Sequence, residues 1–509
     1  MRTDISKQIF RCFIKILSPI HIGCDEVYDP TGFVVDEAAR KLVVFNPIFF
    51  IGKLSDEERA KFSTICAKGT ISSILEVYKF LRGKKSKGTL VDVCEDFVDH
   101  YQKTLSIPTG NETRIQQELN RFSIPRTAFS SLDQRPYIPG SSIKGALRTA
   151  HLNFMENKNK LSGSGKNYKS WELEQKLMDY SGISDDPFRM VKVSDFMPVG
   201  RVKTKIVYGV NEKKRMTDRP ARGQALIFEV IQPGSVFTGL IRVEKPMKSA
   251  LINRPISLDE LLKSTEIFYR KEKLREDNEL KAIGISPFKL RDEEMGVLLR
   301  CGRHSGAESV TINGHRSIKI MGKRGERSKS LNHATTFWLA SNVRVPKIKT
   351  NLQPFGWLHL FELTDRLSKE FYEKEQAFKK ELVFEQEVRL HEAERQLDLQ
   401  RQAQEYEEQE AKKVEEKRIA EEKRKKELAA MSPDERDLAA FDTGQITEEQ
   451  VNIFYKKLDE FSDENRVKFA ERLKDYWVTQ KKWTKTEVGK KQWKKVRERN
   501  KKIMEILGK

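Results

Sequence analysis

The stretch from Arg135 to Ala150 constrains the fold more than any other part of this 509-residue sequence. Its two prolines keep the chain extended, because proline disfavours the helical region for the residue that precedes it. A glycine then permits a tight turn. Ser141 and Ser142 offer N-cap oxygens to a helix that we predict to begin near Ile143. The stretch therefore predicts an extended segment, a turn and a helix start in direct succession.

The start of this predicted helix carries two cations. Lys144 and Arg148 lie four residues apart and therefore share one helix face. The backbone N–H groups and the dipole at a helix start favour a phosphate. Together with the hydroxyl groups of Ser141 and Ser142, the two cations predict a phosphate-binding helix start. Two solvated cations on an ordinary helix would give the same pattern.

The charge balance favours a polyanionic partner. Lysine and arginine number 95 against 75 aspartates and glutamates, a net charge of +20, and nucleic acid is the usual partner of such a chain. The sequence has no run of about 18 apolar residues and no signal peptide, which predicts a soluble cytoplasmic protein with no membrane partner. The five cysteines lack the Cys-x-x-Cys spacing of a zinc site, so we predict no disulfide framework, metal or cofactor.

A second glycine-rich segment, residues 299–311, follows a pattern that predicts a helix over residues 287–300. Because glycine lacks a Cβ, backbone N–H groups beside it can approach a phosphate that neighbouring cations also hold. None of the glycine runs matches a Walker loop or a dinucleotide-binding fingerprint, which argues against a nucleotide cofactor. The phosphate-contacting residues predicted in this segment and in the glycine runs after it are Arg300, Gly302, Arg303, His304, Ser305, Gly306, Arg316, Lys323 and Arg324.

Several motifs resemble those of RAMP proteins, the RNA-binding subunits of type III CRISPR effector complexes. They stand in the order expected of that family, at residues 16–23, 137–150, 225–239, 299–311 and 354–358, and residues 188–196 resemble a further strand of the family. Residues 1–363 resemble a RAMP protein throughout. The resemblance is greatest to the fifth subunit of the type III-A Csm complex, which caps the CRISPR RNA (crRNA) at its 3′ end.

This resemblance implies an α+β fold of two ferredoxin-like, RRM-related units with helical insertions, over residues 1–197 and 198–364. The glycine-rich loops would lie on one face and bind crRNA by backbone, stacking and phosphate contacts. The residues of both segments named above thereby become RNA-binding candidates. The implied function is that of a non-catalytic subunit that supports crRNA maturation and antiviral defence, with crRNA and neighbouring Csm subunits as partners.

Residues 365–509 differ in composition from the rest of the chain. Residues 365–430 contain no proline or glycine, and their acidic and basic residues nearly balance. They predict one long charged helix. Its apolar positions are sparse, which favours a solvated helix over the alternative, a coiled coil. Residues 431–509 predict a small basic helical region. A second hypothesis is that these helices act as a scaffold that recruits a host nuclease.

A third hypothesis is catalytic, because the RAMP superfamily includes endoribonucleases that act on crRNA precursor or target RNA. Such an enzyme needs an acid or base near the scissile phosphate. The catalytic candidates are His21, Asp25 and Asp29, in or just after the first motif. The sequence contains no metalloprotease or serine-hydrolase pattern. The residues alone leave the catalytic and the non-catalytic hypotheses open.

Overall fold

The computed structural model describes residues 9–164, 167–217, 221, 223–246, 252–290, 296–321, 327–349, 351–443 and 446–508. The chain divides into two compact units, residues 1–384 and 385–509. Helices and strands are both abundant, and strands are confined to the first unit in the described residues. The α+β class predicted from the sequence is therefore confirmed.

The strands found in the described residues are β1 (Ile9–Ile16), β2 (Gly23–Val27), β3 (Phe33–Asp36), β4 (Lys41–Val44), β5 (Thr89–Val93), β6 (Pro125–Thr127), β7 (Val191–Val193), β8 (Met197–Pro198), β9 (Thr204–Lys213), β10 (Leu226–Ile231), β11 (Val236–Val243), β12 (Val297–Arg300), β13 (Ile318–Ile320), β14 (Lys329–Leu331), β15 (Thr336–Ser341), β16 (Gln353–Pro354) and β17 (Trp357–Glu362). The α-helices found there are α1 (Pro47–Gly52), α2 (Asp56–Ala67), α3 (Ile71–Leu81), α4 (Phe97–Leu105), α5 (Glu112–Phe122), α6 (Gly140–Asn159), α7 (Ser170–Met178), α8 (Leu258–Ala282), α9 (Asp365–Ala430), α10 (Pro433–Asp442), α11 (Glu448–Lys456), α12 (Asp463–Thr479) and α13 (Lys485–Ile506).

One sheet of the first unit runs in the order β12-β17-β1-β11-β7, with β8 also paired to β11. All its neighbouring strands are antiparallel. Along the chain, α6 lies between β1 and β7, and α8 lies between β11 and β17. Ile143 and Leu147 of α6 and Leu261 of α8 share one buried core with Ile14 of β1. The two helices therefore bury their apolar sides with this sheet.

The other large sheet runs in the order β16-β15-β9-β5-β4-β3, with β10 also paired to β9. The β5–β9 pair is parallel, and the remaining pairs are antiparallel. Its core combines Val91 and Ile206 from the strands with Leu75, Tyr101 and Ile115 from α3, α4 and α5. The helical insertion predicted after the first strands therefore packs on this sheet.

Both sheets combine strands from the two segments that the sequence predicts as separate units. β1 pairs with β11 in one sheet, and β5 pairs with β9 in the other. The boundary predicted between residues 197 and 198 consequently falls inside both sheets. A local sequence pattern identifies strands but not their partners, so it could not reveal this exchange.

The alternating residues and the Pro-Gly turn of residues 225–243 predict a hairpin, and this prediction is wrong, because the two strands lie in different sheets. β10 pairs with β9, whereas β11 pairs with β1. The turn between them is held by the end of β1: the amide of Gly234 donates to the carbonyl of Ile16 at 2.8 Å, and the amide of Ile16 donates to the carbonyl of Ser235 at 3.0 Å. The turn thus carries the chain from one sheet to the other. The helix predicted over residues 287–300 is also wrong, since residues 297–300 form β12.

The second unit is helical throughout its described residues. The long charged helix predicted over residues 365–430 is confirmed as α9, which begins in the first unit. Phe469, Leu473 and Trp477 are buried in a small core with residues of α11 and α13. Trp477 is therefore a residue of the core of this unit. Nowhere in the described chain is a helix both long and apolar enough to cross a membrane.

Candidate nucleic-acid interface

Helix α6 begins at Gly140, three residues earlier than predicted, and Pro139 takes the N-cap position. The hydroxyl groups of Ser141 and Ser142 do not cap it, so that prediction is wrong. The amide of Gly140 instead donates to Oδ1 of Asp195 at 2.7 Å. A carboxylate from a distant segment thus occupies the helix start, where a phosphate was expected.

Glycine is required at position 140 because another part of the backbone lies against it. An added Cβ would come within 2.4 Å of the carbonyl oxygen of Val193 and 2.6 Å of that of Ser194. Ile138 and Phe196 exchange two backbone hydrogen bonds of 3.1 and 2.9 Å beside this contact. The motif at residues 137–150 and the strand motif at residues 188–196 therefore form one structure.

The two cations of α6 have different environments. Lys144 is half-buried and has no ion-pair partner among the described residues. Burial, followed by the positive charge of Lys192, lowers the pKa of its amine. The negative charge of Asp186 acts in the opposite direction, but no carboxylate of the described residues forms an ion pair with this amine. Ser141, one turn earlier, is exposed.

Arg148 points into the protein instead. Its Nε donates to Glu174 at 2.9 Å, its Nη1 to Asp186 at 2.9 Å and its Nη2 to the hydroxyl of Tyr180 at 3.0 Å. A guanidinium with two carboxylates has little remaining capacity for a phosphate. The prediction that Arg148 contacts RNA is therefore wrong for this conformation. Arg148 fixes α7 and the loop after it to α6.

The second glycine-rich loop is docked on the end of the first motif. Gly302 has φ +89°, and an added Cβ would lie 2.7 Å from the carbonyl oxygen of His21. The next amide, of Arg303, donates to that same carbonyl at 2.8 Å. Close approach is thus the reason for glycine here, as predicted, but the neighbour is protein backbone.

Residues Ile20 to Ile22 join the motifs that are distant in sequence. Ile20 exchanges backbone hydrogen bonds with Ile231, and the carbonyl of Ile22 accepts from the amide of Ala128 at 2.7 Å. The Nδ1 atom of His21 is 2.7 Å from the carbonyl oxygen of Glu229. Four motifs of the RAMP resemblance therefore meet at this segment: residues 16–23, 225–239, 299–311 and, through the amide of Gly356 on Pro19, 354–358.

Two arginines predicted to bind RNA are buried structural residues. Arg300 is 2% exposed, and its Nη1 lies 2.7 Å from Oε1 of Glu276. Its Nε also donates to the carbonyl of Phe355 at 2.9 Å. Arg316 donates to Glu272 at 2.8 Å, with only 7% of its side chain exposed. Charges this buried require a partner, and each has one within the protein, so their prediction as direct RNA contacts is wrong here.

The other residues predicted in this segment are distributed unevenly. Arg303 and Gly306 are exposed, Gly302 is half-buried and Ser305 is buried. The guanidinium of Arg303 lies 5.7 Å from the ring centre of Phe228, and no carboxylate among the described residues pairs with it. Arg303 is therefore the cation of this loop that faces outward. Lys323 and Arg324 lie outside the described residues.

His304 is enclosed by three aromatic rings. The ring centres of Trp338, Phe228 and Phe355 lie 4.6, 4.9 and 5.8 Å from that of His304. Burial, followed by the charge of Arg303, lowers the pKa of its imidazole to about 4. His304 is accordingly neutral near pH 7, and its ring is available for stacking and hydrogen bonding but not as a charge.

The catalytic candidates do not form a common centre. His21 is fully buried, and burial lowers the pKa of its imidazole; it cannot touch a substrate in this conformation, so its prediction as a catalytic candidate is wrong. Asp29 is exposed and accepts hydrogen bonds from the amide and hydroxyl of Thr31. Asp25 is exposed, with φ +58°. The described residues contain no group of His, Cys, Asp or Glu arranged to hold a metal ion.

Two residues with structural or electrostatic roles here were not identified from the sequence. Asp195 lies within the strand motif at residues 188–196, and its hydrogen bond to the start of α6 appears only in the structure. Lys192 lies on β7, and its charge acts on Lys144. Their roles depend on an antiparallel contact between segments that lie about fifty residues apart.

The RAMP superfamily matches this chain over residues 13–503, a range that extends well beyond the residue 363 limit expected from the motifs. A curated relative, the CRISPR system Cms protein Csm5 of Methanocaldococcus jannaschii, is 25% identical over 222 residues, which cover 40% of this chain and 47% of that protein. The chain thus spans about half the length of this relative.

Among solved structures, a chain of a Csm–crRNA–target RNA ternary complex of a type III-A CRISPR-Cas system is 18% identical, with a TM-score of 0.48 and coverage of 69% of this chain and 100% of that chain. Csm5 of T. onnurineus is 19% identical, with a TM-score of 0.40 and coverage of 68% and 99%.

Proposed function

Because the chain belongs to the RAMP superfamily, we propose that it is a non-catalytic RNA-binding subunit of a type III-A CRISPR (Csm) effector complex. Its role would be to bind and cap the 3′ region of crRNA, with neighbouring Csm subunits as further partners. The curated relative named Csm5 supports this assignment. The role would place the protein in crRNA maturation and antiviral defence.

One observation carries the proposal: the motifs of the family meet at one platform, which backbone hydrogen bonds hold together around residues 20–22. Beside this platform lie cations that have no carboxylate partner among the described residues. The segment Ile20 to Ile22 holds the second glycine-rich loop, and through Ala128 and Tyr137 it reaches the start of α6. Arg303 stands on this platform without a carboxylate partner among the described residues. Such a rigid base with unpaired cations suits a ligand recognised by its phosphates rather than by its sequence.

We infer that one ferredoxin-like unit underlies this platform. The strands β1, β7, β11 and β17 stand in the order β17-β1-β11-β7, with α6 after β1 and α8 after β11. This is the β-α-β-β-α-β succession with neighbouring strands antiparallel. β12 would then be an added edge strand. The unit so defined takes its strands from both sides of residue 197, and the other large sheet would correspond to the second predicted unit.

A measurement of salt-dependent RNA binding tests the proposal. The full chain is titrated with a crRNA-length oligonucleotide over a series of salt concentrations. For a single strand, we expect the log–log salt slope to change by about 0.7 for each phosphate that the protein neutralises. Lys144→Ala combined with Arg303→Ala should therefore flatten the slope by about 1.4 and weaken binding.

Lys61→Ala is the matched control, because Lys61 is an exposed cation on α2, away from both loops. It should leave the slope unchanged. Absence of RNA binding by the wild-type chain would overturn the proposal, and unchanged binding by the double variant would overturn the proposed face. The same samples test the non-catalytic role: RNA cleavage that Asp25→Asn or Asp29→Asn abolishes would establish an endoribonuclease instead.

A further inference from the structure

An open cavity of about 690 Å³ lies beside the second glycine-rich loop. Its walls come from α8, residues 304–308, β13 and the start of β15. The volume is in the range of sites for small organic ligands. Of the aromatic residues that line this cavity, only His304 was predicted from the sequence to bind a ligand. The cavity itself was not predicted.

The wall of the cavity is positively charged. Its lining includes five cationic side chains but only two carboxylates. The carboxylate of Glu276 pairs with Arg300 at 2.7 Å, and that of Glu308 pairs with Lys214 at 2.5 Å. Although burial opposes it, the charge of Lys214 lowers the pKa of Glu308 to about 2. Both carboxylates are thus neutralised within the wall. Arg275 is itself paired with Glu272 at 2.9 Å and with Glu279 at 2.7 Å, so the excess positive charge that favours an anionic ligand comes from Lys213 and Lys319.

The other two cations of the lining have no carboxylate partner among the described residues. Lys319 on β13 is exposed and has no ion-pair partner among the described residues. Lys213, at the end of β9, donates to the hydroxyl of Thr217 at 3.0 Å and pairs with no carboxylate in the described part of the chain. A phosphate placed here would therefore compete with no carboxylate for these two amines.

Another part of the cavity wall is aromatic. Trp338 is half-buried and lines the cavity together with His304 and Phe337. The ring centres of Trp338 and His304 lie 4.6 Å apart, and the Nε2 atom of His304 is buried without a hydrogen-bond partner in the described structure. A flat aromatic wall beside an unsatisfied ring nitrogen suits a nucleobase, which has both a π-face and polar edges.

The backbone at this wall is held in an unfavourable conformation. His304 has φ +65° and lies between Gly302 at +89° and Gly306 at +83°. A non-glycine residue in this region is strained and persists only where the surroundings enforce it. Here the docking of the loop on His21 supplies that constraint. The constraint holds His304 against Trp338, as a preorganised site requires.

We propose that this cavity takes a single nucleotide, with its base against Trp338 and its phosphate at Lys213 and Lys319. The nucleotide belongs either to a bound RNA strand, in which case the inference rests on the proposed function, or to a free ribonucleotide. Stacking and phosphate contact would recognise any base, in keeping with a protein that must accept many RNA sequences.

The RNA source is tested by combining an abasic scan with substitution of Trp338. Each position of a crRNA-length oligonucleotide is made abasic in turn, and its affinity is measured with wild type and with Trp338→Ala. We expect wild type to lose about tenfold affinity at one position. Trp338→Ala should lose a similar amount with the intact RNA and show no further loss at that position. Trp338→Phe retains a ring and should restore most of the sensitivity.

The free-nucleotide source is tested by titrating AMP into the full chain while the tryptophan fluorescence is recorded. Saturable quenching that Trp338→Phe alters, together with an abasic scan without any sensitive position, would assign the cavity to a free ribonucleotide. Lys319→Ala tests the phosphate contact in either assay, and it does not touch the core. We expect it to weaken whichever ligand binds by several-fold.

Trp171→Ala is the matched control, because Trp171 is 55% exposed on α7 and does not line the cavity. It should change neither assay. Equal abasic sensitivity in wild type and Trp338→Ala at every position, with no response to AMP, would overturn the inference. If wild type bound RNA with a normal salt slope at the same time, the proposed function would stand while the nucleotide cavity failed.

Discussion

The two glycine-rich loops have the same sequence signal and a partly shared structure. In each, glycine permits contact with protein backbone: Gly140 lies against Val193 and Ser194, and Gly302 lies against His21. In each, one cation is paired inside the protein while another on the same segment has no carboxylate partner among the described residues. Glycine beside arginine therefore indicates a closely packed platform, and only part of the accompanying charge remains for a ligand.

The difference between the loops lies in what occupies the space beside them. At the first loop the carboxylate of Asp195 binds the start of α6, so that the helix end already has its anion. At the second loop His304 and Trp338 line an open cationic cavity. The first loop is thus built chiefly to position a helix, whereas the second combines positioning with a site of its own.

The prediction with the largest expected effect on stability compares two arginines of the second loop, the paired Arg300 and the unpaired Arg303. Arg300→Ala would leave Glu276 buried without its cation, and we expect the free energy of unfolding to fall by about 3–5 kcal/mol. Arg303→Ala removes an exposed cation and should change it by less than about 0.5 kcal/mol. Thermal unfolding followed by circular dichroism measures both. Similar losses for the two variants would contradict the assignment of Arg300 to the core and Arg303 to the surface.

The sequence predicted the two glycine-rich loops, a helix close to the observed start of α6 and the long helix α9, since these follow from local residue patterns. It could not predict which cation turns inward, because Arg148 and Arg300 are paired by carboxylates from other elements: Glu174 and Asp186 in one case, Glu276 of α8 in the other. Such pairing depends on tertiary contacts that no spacing rule contains.

The same limit explains two features of the structure that local patterns do not contain. The turn at residues 232–235 has the composition of a hairpin, but the carbonyl and amide of Ile16 bind it and direct β11 into another sheet. Likewise, the platform forms because Gly302 meets His21, some 280 residues earlier in the chain. The resemblance of the motifs, taken together, to those of one family was therefore more informative than the local structure predicted for each motif.

A second test compares two glycines of the second loop that share a left-handed backbone. Gly302→Ala adds the clash with the carbonyl of His21 to the backbone strain, and we expect a loss of about 2–4 kcal/mol of stability. At Gly306 the nearest atom to an added Cβ is a side-chain nitrogen of Arg300 at 3.6 Å, an ordinary contact. Gly306→Ala should thus lose about 1 kcal/mol, from strain alone.

The difference between these two variants isolates the contact with His21 from the strain that both positions share. Chemical denaturation of the full chain measures it, with the transition of the first unit followed by near-ultraviolet circular dichroism. Equal losses would mean that the loop can move away from His21 without cost. The platform would then be adaptable and not rigid, and the strain at His304 would lack the constraint that maintains it.

The smallest expected effect concerns Asp195 at the first loop, where the question is whether its hydrogen bond or its charge matters. Asp195→Ala removes the acceptor for the amide of Gly140 and should lower stability by about 1 kcal/mol, as removal of a helix cap does. Asp195→Asn keeps a side-chain oxygen at the same place and should lose less than half as much, measured by the same denaturation. If Asn and Ala were equally destabilising, the negative charge at the start of α6 would be the stabilising feature. The first loop would then be an anion site that the protein fills with its own carboxylate. Both loops would bind an anion, and they would differ only in whether the protein or a ligand supplies it.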